Sequence, residues 1–386
     1  MKNIFNNESG AALIITLSLL MVLSLIGLMS VKSSHTDVEL SFNKQQNEKS
    51  FYNAEAGANR ALVDLCNNND WDSGYVSIAL NDGTYDVVVR NVFDNPALDD
   101  TVIITSIGSH EDALSIIEMT TVPEYHYPFK YGMFAKDELH IYNSMFIDSY
   151  NSDSGSYADT QEDLYADIGS NDTVFIENNA WVGGSVSSAL EDGVVIVDSS
   201  NVKGELADNV GENFVPDIPQ SEYDSVAILN DNMTGISGTY TYNTTTDNFS
   251  TSSDVTLSSG TYYFSDFILK NSASLTLEPG AEVTIYVTGK FEIKNSGDIN
   301  STENPSDMIF YYQGTDFDLK NSGALTAAIY APNASAVLHN SGDFYGSILA
   351  NTIDAHNSAA FHYDQSLSKI IDGVTGRMLV VGWQEL

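Results

Sequence analysis

Apolar and small polar residues run from Ala11 to Val31 without a single charge, and Lys32 closes the run. Twenty-one residues at about 1.5 Å each reach roughly 30 Å, the thickness of a bilayer's hydrocarbon core. The pattern therefore predicts a transmembrane helix over 11–31, longer than the roughly 7–15 apolar residues of a cleaved secretory signal. Inside it, Thr16, Ser18, Ser24 and Ser30 can bond back to helix carbonyls, and Gly27 lets another helix approach closely. Past Lys32 the chain turns polar, yet Val38, Phe42, Ala54, Ala58, Ala61, Leu62 and Leu65 keep an interrupted helical spacing. One helix is expected over 11–66, ended by Asn67-Asn68-Asn69-Asp70, whose side chains compete for helical hydrogen bonds. A signal anchor followed by an amphipathic stalk would show the same pattern. Lys2 and the α-amine against Glu8 give a weak bias toward a cytoplasmic N-terminus and an exported remainder.

The period then changes to that of strands. Residues 74–90 hold two β-rich runs around Asn81-Asp82-Gly83, a hairpin turn signal. Val102 to Ile107 and Leu114 to Val122 form a second pair around 108–112, where His110 is expected as a solvated turn residue. A four-stranded antiparallel sheet over 71–123, covering the polar end of the helix, follows. From 128 to 386 helical pattern disappears and an Asn-Ser pair recurs: Lys270-Asn271, Lys294-Asn295, Lys320-Asn321, His339-Asn340 and His356-Asn357, each followed by Ser, with an earlier echo at Tyr142-Asn143-Ser144. A motif returning every ~17–26 residues before a strand is the mark of a chain that stacks on itself. The fold class expected is mainly β: a long N-terminal transmembrane helix, a small antiparallel sheet, then a right-handed parallel β-helix with a C-terminal tail.

In such a stack the asparagines 271, 295, 321, 340 and 357 come into register about 4.8 Å apart, so that their amides can form a ladder and their tolerance of left-handed backbone can turn a corner. The residues before them, Lys270, Lys294, Lys320, His339 and His356, then form a basic stripe. Like charges at that spacing repel, so either a bound carboxylate or phosphate or neighbouring Asp and Glu must compensate.

Charge narrows the partners. Fifteen Lys and Arg stand against 53 Asp and Glu, a formal charge of −38, which disfavours nucleic acid, whose binding needs clustered cations. Cys66 is the sole cysteine, so no intrachain disulfide can form, and nothing around it suggests a nucleophile.

Two resemblances add to this. The segment SGAALIITLSLLMVLSLIGLMSVKSS, followed by FYNAEAGANRAL, resembles the N-terminus of PilX-type minor pilins of type IV pili. The resemblance implies a leader, 1–10, cut after Gly10 by a prepilin peptidase, so that Ala11 becomes the first mature residue, often methylated. It implies a filament and membrane helix using Ala11, Leu13, Ile15, Leu19, Leu23 and Gly27, and it identifies Ala54-Glu55-Ala56-Gly57 with the family's AEAG segment. Major pilins carry a glutamate at the fifth mature position, where this chain has Ile15; by analogy with a tip pseudopilin that also lacks it, the resemblance suggests a tip position. Residues 128–386, through ALTAAIYAPNASAVLHNSGDFYGSILANTIDAHNSAAFHYDQSL and the ending VVGWQEL, resemble a β-helical domain of little-known function found attached to such N-termini.

The resemblance implies a non-enzymatic subunit, first in the inner membrane and then on an extracellular filament, with other pilins, the assembly machinery and the peptidase as partners. Its β domain would serve adhesion, with a surface glycan as ligand, or filament assembly. The competing reading is a membrane-tethered polysaccharide-active enzyme. Against a lyase, Arg60, Arg90 and Arg377 all lie outside the coils; against a glycosidase, no carboxylate pair is singled out. No cofactor is expected. His339, His356 and His362 lack a compact metal-ligand motif, and the oxygen-rich stretches 151–155 and 230–232 suit calcium only weakly, without a calcium-loop consensus.

Overall fold

The structure is a computed structural model that describes residues 8–68, 71–91, 101–300, 302–339, 341–356, 359–371 and 374–386. A long apolar helix is followed by a mostly β body, and the chain divides into two compact units. The first comprises residues up to Glu124 together with Val374–Leu386, and the second comprises Tyr125–Gly373.

The first unit is built on helix α1, Glu8–Asn67. It contains no proline, and with no interior breaker it runs on through its polar half and begins before the expected Ala11. Four strands follow: β1 (Tyr75–Leu80), β2 (Gly83–Asn91), β3 (Val102–His110) and β4 (Ala113–Tyr125). They pair antiparallel in sequence order. Along β3 every second residue is buried, as expected of a sheet with one face against a helix. That face, with Tyr85, Val87, Ile104, Ile117 and Met119, packs on Ala54, Ala58, Ala61 and Leu65 of α1.

Three expectations need correction here. The turn after β3 is Glu111-Asp112 alone, with Glu111 at φ 52°, so 108–110 continue the strand. His110 is consequently buried at 5% exposure rather than solvated, with Lys49 Nζ 3.3 Å from its Nε2. In the first hairpin Asn81 (φ 48°) and Asp82 (φ 61°) carry the left-handed backbone, while Gly83 already pairs with Leu80. The sheet also has five strands rather than four, because Val374–Glu385 joins it beside β4. The expected C-terminal tail of the 128–386 domain therefore belongs to the first unit. Its Leu386 N–H donates to Ile116 O and Met378 joins that core.

The second unit is a parallel ladder. Segments 249–251, 267–269, 291–293, 317–319, 336–338, 353–355, 139–141, 174–176 and 194–196 pair successively in parallel, residue for residue. A second track runs alongside it through 260–264, 283–287, 308–312, 328–330, 348–350, 133–135, 168–170, 186–188 and 206–207. Side chains pointing inward stack as columns: Thr251, Leu269, Ile293, Leu319, Leu338, Ala355, Ile141, Ile176 and Ile196 form one. Burial of such columns offsets the entropy of ordering so much chain.

Spatial order departs from chain order once. The last rungs, 344–355 and 360–364, pair with the first, 133–150, so the chain climbs from 131 to 207, returns, and climbs again from 248. The return segment runs along the tyrosine column Tyr330, Tyr311, Tyr286 and Tyr263. Asn213 exchanges two 2.8 Å hydrogen bonds with Asn171, Tyr330 donates to Pro216 O, and Gln313 donates to Gln220. Within the helix Gln220–Ile228, Tyr286 donates to Glu222 and Tyr223 is buried edge-on to Tyr286 at 5.5 Å.

Candidate functional site

The apolar half of α1 is fully presented to its surroundings. Its most apolar eighteen-residue window has a mean hydropathy of 2.6 and no buried residue. Leu13, Ile15, Leu19 and Leu23 are all more than half exposed, and a Cβ on Gly27 would touch nothing within 4 Å. So long an apolar surface is stable in water only when lipid or protein covers it. Gly10 and Ala11 lie within the helix.

The AEAG segment works differently, because it sits where α1 meets the sheet. Ala54 and Gly57 are buried, while Glu55 and Ala56 are half-buried. A Cβ on Gly57 would overlap Ser106 Oγ and come within 2.8 Å of Tyr85 Cδ2, and one on Gly108 would overlap Ser50 O and the Ala54 backbone. Small residues on both partners thus set the helix–sheet distance. Ser50 Oγ pairs with Ser115 Oγ at 2.9 Å, and Asn53 Nδ2 donates to Ser109 O at 3.0 Å.

In the second unit Asn271 and Asn295 stand in register, as do Lys270 and Lys294. Lys320 N–H donates to Ile293 O, His339 N–H to Leu319 O, His356 N–H to Leu338 O and Tyr142 N–H to Ala355 O. These bonds extend the row of Lys270 and Lys294 through Lys320, His339 and His356 to Tyr142. The rings of His339 and His356 stack at 4.9 Å, and those of His356 and Tyr142 at 4.6 Å. Asn340 and Asn357 lie outside the described residues. Asn271, Asn143, Asn178 and Asp198 turn their corners with φ between 55° and 60°, the left-handed conformation that Asn and Asp tolerate.

Two of these amides reach backbone carbonyls. Asn321 Nδ2 donates to Gly323 O at 2.8 Å within its own corner, and Asn143 Nδ2 reaches His356 O of the neighbouring rung at 2.7 Å. Backbone bonds also link the corners, such as Ser296 N–H to Asn271 O and Ser341 N–H to Asn321 O. The glycine after the Asn-Ser pair has its own reason: a Cβ on Gly323 would lie 2.5 Å from Gly297 O.

Acids two residues upstream neutralise much of the basic row. Lys294 lies 3.6 Å from Glu292, Lys320 lies 2.7 Å from Asp318, and Lys290 pairs with Glu292 from the other side. Lys290, Glu292 and Lys294, with Gln313, Asp316 and Asp318, line an open groove of about 730 Å³. The hydrogen bond from Lys290, with the charges of both lysines, holds the Glu292 carboxyl below the usual range. A carboxylate kept ionised in this way is unsuited to donating a proton to a glycosidic oxygen.

The oxygen-rich stretches already have partners. Asn151 Oδ1 accepts from Asp153 N–H, Asp153 pairs with Lys369 at 2.7 Å, Asp231 caps Thr261 N–H, and buried Asn232 bonds Tyr242 and Tyr263.

One cluster brings together residues that the sequence does not associate. Asp148 and His362 are almost wholly buried, their Oδ1 and Nδ1 2.5 Å apart, and the other Asp148 oxygen accepts from Tyr157 and Gln161. Asp364, also buried, accepts from the N–H and hydroxyl of both Ser152 and Ser366. Since Asp148 meets His362, and Ser152 meets Asp364, only through the closure of the last rung on the first, neither spacing nor periodicity could reveal them.

Residues 9–59 match the family described as PilX N-terminal. The N-terminal segment is type IV pilin-like. Its apolar helix is of the membrane-anchoring kind. Residues 265–370 match a domain of unknown function, DUF7305. No curated protein matches. Among solved structures, the competence-associated pilin ComZ from Thermus thermophilus is 9% identical, covering 88% of this chain and 97% of its own at a TM-score of 0.30. An ice-binding protein from the Antarctic ascomycete Antarctomyces psychrotrophicus is 12% identical, covering 62% and 96% at a TM-score of 0.31. At such TM-scores neither likeness bears on function.

Proposed function

We propose that this chain is a non-catalytic, minor-pilin-like subunit of a type IV filament, whose second unit is a right-handed parallel β-helix displayed from that filament. The observation that carries the reading is the pilin-like segment 9–59 lying on one continuous helix. The helix's first half offers uncovered apolar surface, and its second half is seated on a sheet through Ala54 and Gly57. In this reading a prepilin peptidase on the cytoplasmic face cuts after Gly10, and the helix from Ala11 waits in the inner membrane before joining the helical core of other pilins. Ile15, in place of the acid found in major pilins, avoids burying a carboxylate in lipid and removes a docking cue, which favours a tip position. The acidic second unit serves adhesion to a surface glycan or filament assembly, and needs no cofactor.

Co-expression with a prepilin peptidase tests the processing step. The proposal expects loss of the mass of residues 1–10 and a block of that loss by a charged residue at Gly10. An unprocessed chain that remains in the membrane contradicts it.

A further inference from the structure

The parallel ladder of the second unit is finished differently at its two ends. At the 249–251 end the chain folds back on itself: 241–243 pairs antiparallel with 248–250, and 236–238 pairs antiparallel with 255–257. At the other end 194–196 pairs with 174–176, 201–202 with 181–182 and 206–207 with 186–187, each on its inner side. Stacked repeats ordinarily need a polar cap on their final rung, because an open strand edge accepts further strands.

Backbone groups alternate between the two edges of a strand. Val197 N–H donates inward to Ile176 O, Asn201 N–H to Ala180 O and Lys203 N–H to Val182 O, so the amides of Ile196 and Val202 face outward. Val194 N–H is capped by Asp208 Oδ1 at 2.8 Å. Apolar side chains accompany the open edge: Leu206 is 55% exposed and Val197 41%, with Ile196 and Val202 half-buried.

Charge selects the occupant. Between 186 and 212 stand Glu191, Asp192, Asp198, Glu205, Asp208 and Glu212 against the single Lys203, which is itself paired with Asp163 at 3.5 Å. A second copy is repelled in either orientation, because the opposite end, 231–256, carries Asp231, Asp247 and Asp254 and no Lys or Arg. We propose that the terminal rung 194–207 is a docking edge for a basic segment of another protein, extended along 194–196 and 201–202 and bent with the rung at the Asp198-Ser199 corner, which adds one more rung to the ladder with its cations beside these carboxylates. Main-chain bonds to Ile196 and Val202 supply affinity, and the acids supply selection. The inference stands on the strand pairings and charges alone, independent of the filament reading.

The full chain in detergent is titrated with a synthetic peptide of alternating Lys and Val, and with the same peptide N-methylated so that its charge is kept but its pairing is lost. The proposal expects saturable binding of the first peptide with slowed amide exchange at Ile196 and Val202. It expects binding at least about tenfold weaker for the methylated peptide and for the exposed variants L206K and V197K. Equal binding of both peptides, protection elsewhere on the chain, or protection of Ile196 and Val202 that grows with protein concentration in the absence of peptide would each overturn it, the last by showing a second copy as the occupant.

Discussion

Asp148 and His362 lie 214 positions apart in the chain, yet they share a buried hydrogen bond of 2.5 Å. The pair joins strand 146–150 of the first rung to strand 360–364 of the last, which run parallel with Asp148 opposite His362. Together with the pairing of 348–350 on 133–135 and of 353–355 on 139–141, it forms the seam that joins the two runs of the ladder. Asp148→Ala would leave His362 and the Tyr157 hydroxyl without their acceptor in a dry site. We expect a loss of about 3 kcal/mol in urea unfolding, with hydrogen exchange faster in 133–150 and 344–364 than in 267–293. A uniform rise in exchange across the ladder would show that the seam is not a separate weak point.

Gly57 defines how closely α1 lies on its sheet. Gly57→Leu must displace Ser106 and Tyr85, and overpacking of this kind typically costs about 1–3 kcal/mol. The measurement is thermal unfolding of the full chain in detergent, with a lowered midpoint expected for Gly57→Leu and almost none for substitution at exposed Val63.

His126 provides a pH signature. Burial pushes its pKa down to about 4, and its ring packs edge-on to Tyr330 at 5.5 Å. In the unfolded chain it titrates near 6.5. Its contribution is therefore fully present above about 6.5 and is lost as the pH falls toward 4, by about 3 kcal/mol for a shift of this size. His126→Gln should flatten the stability profile of the second unit between those two values, and an unchanged slope would assign the dependence to other groups.

The sequence made the helix legible because an uncharged run of this length suits a helix covered by lipid or protein, and it made the stacking legible because Asn-Ser recurs at matching places on successive rungs, with left-handed backbone at Asn271 and Asn143. It was silent where order in space departs from order in sequence. After Asn143-Ser144 the first run turns its corners with Asn178-Asn179 and Asp198-Ser199, which keep the left-handed backbone but lose the Asn-Ser spelling. The Val374–Glu385 strand reads as a tail because its partner, β4, is more than two hundred residues away. His110 reads as a turn residue because Gly108 resembles the start of a loop, whereas that glycine serves the close approach of α1. Compensation of the row by neighbouring acids was one of the two expected outcomes; which acids do it was not legible, although Glu292 and Asp318 sit two residues upstream of Lys294 and Lys320.

The most direct measurement is the N-terminal residue of this protein recovered from sheared surface filaments. The account predicts recovery in the filament fraction with a chain that begins at Ala11. A chain found only in soluble form, beginning beyond Val31, would contradict it.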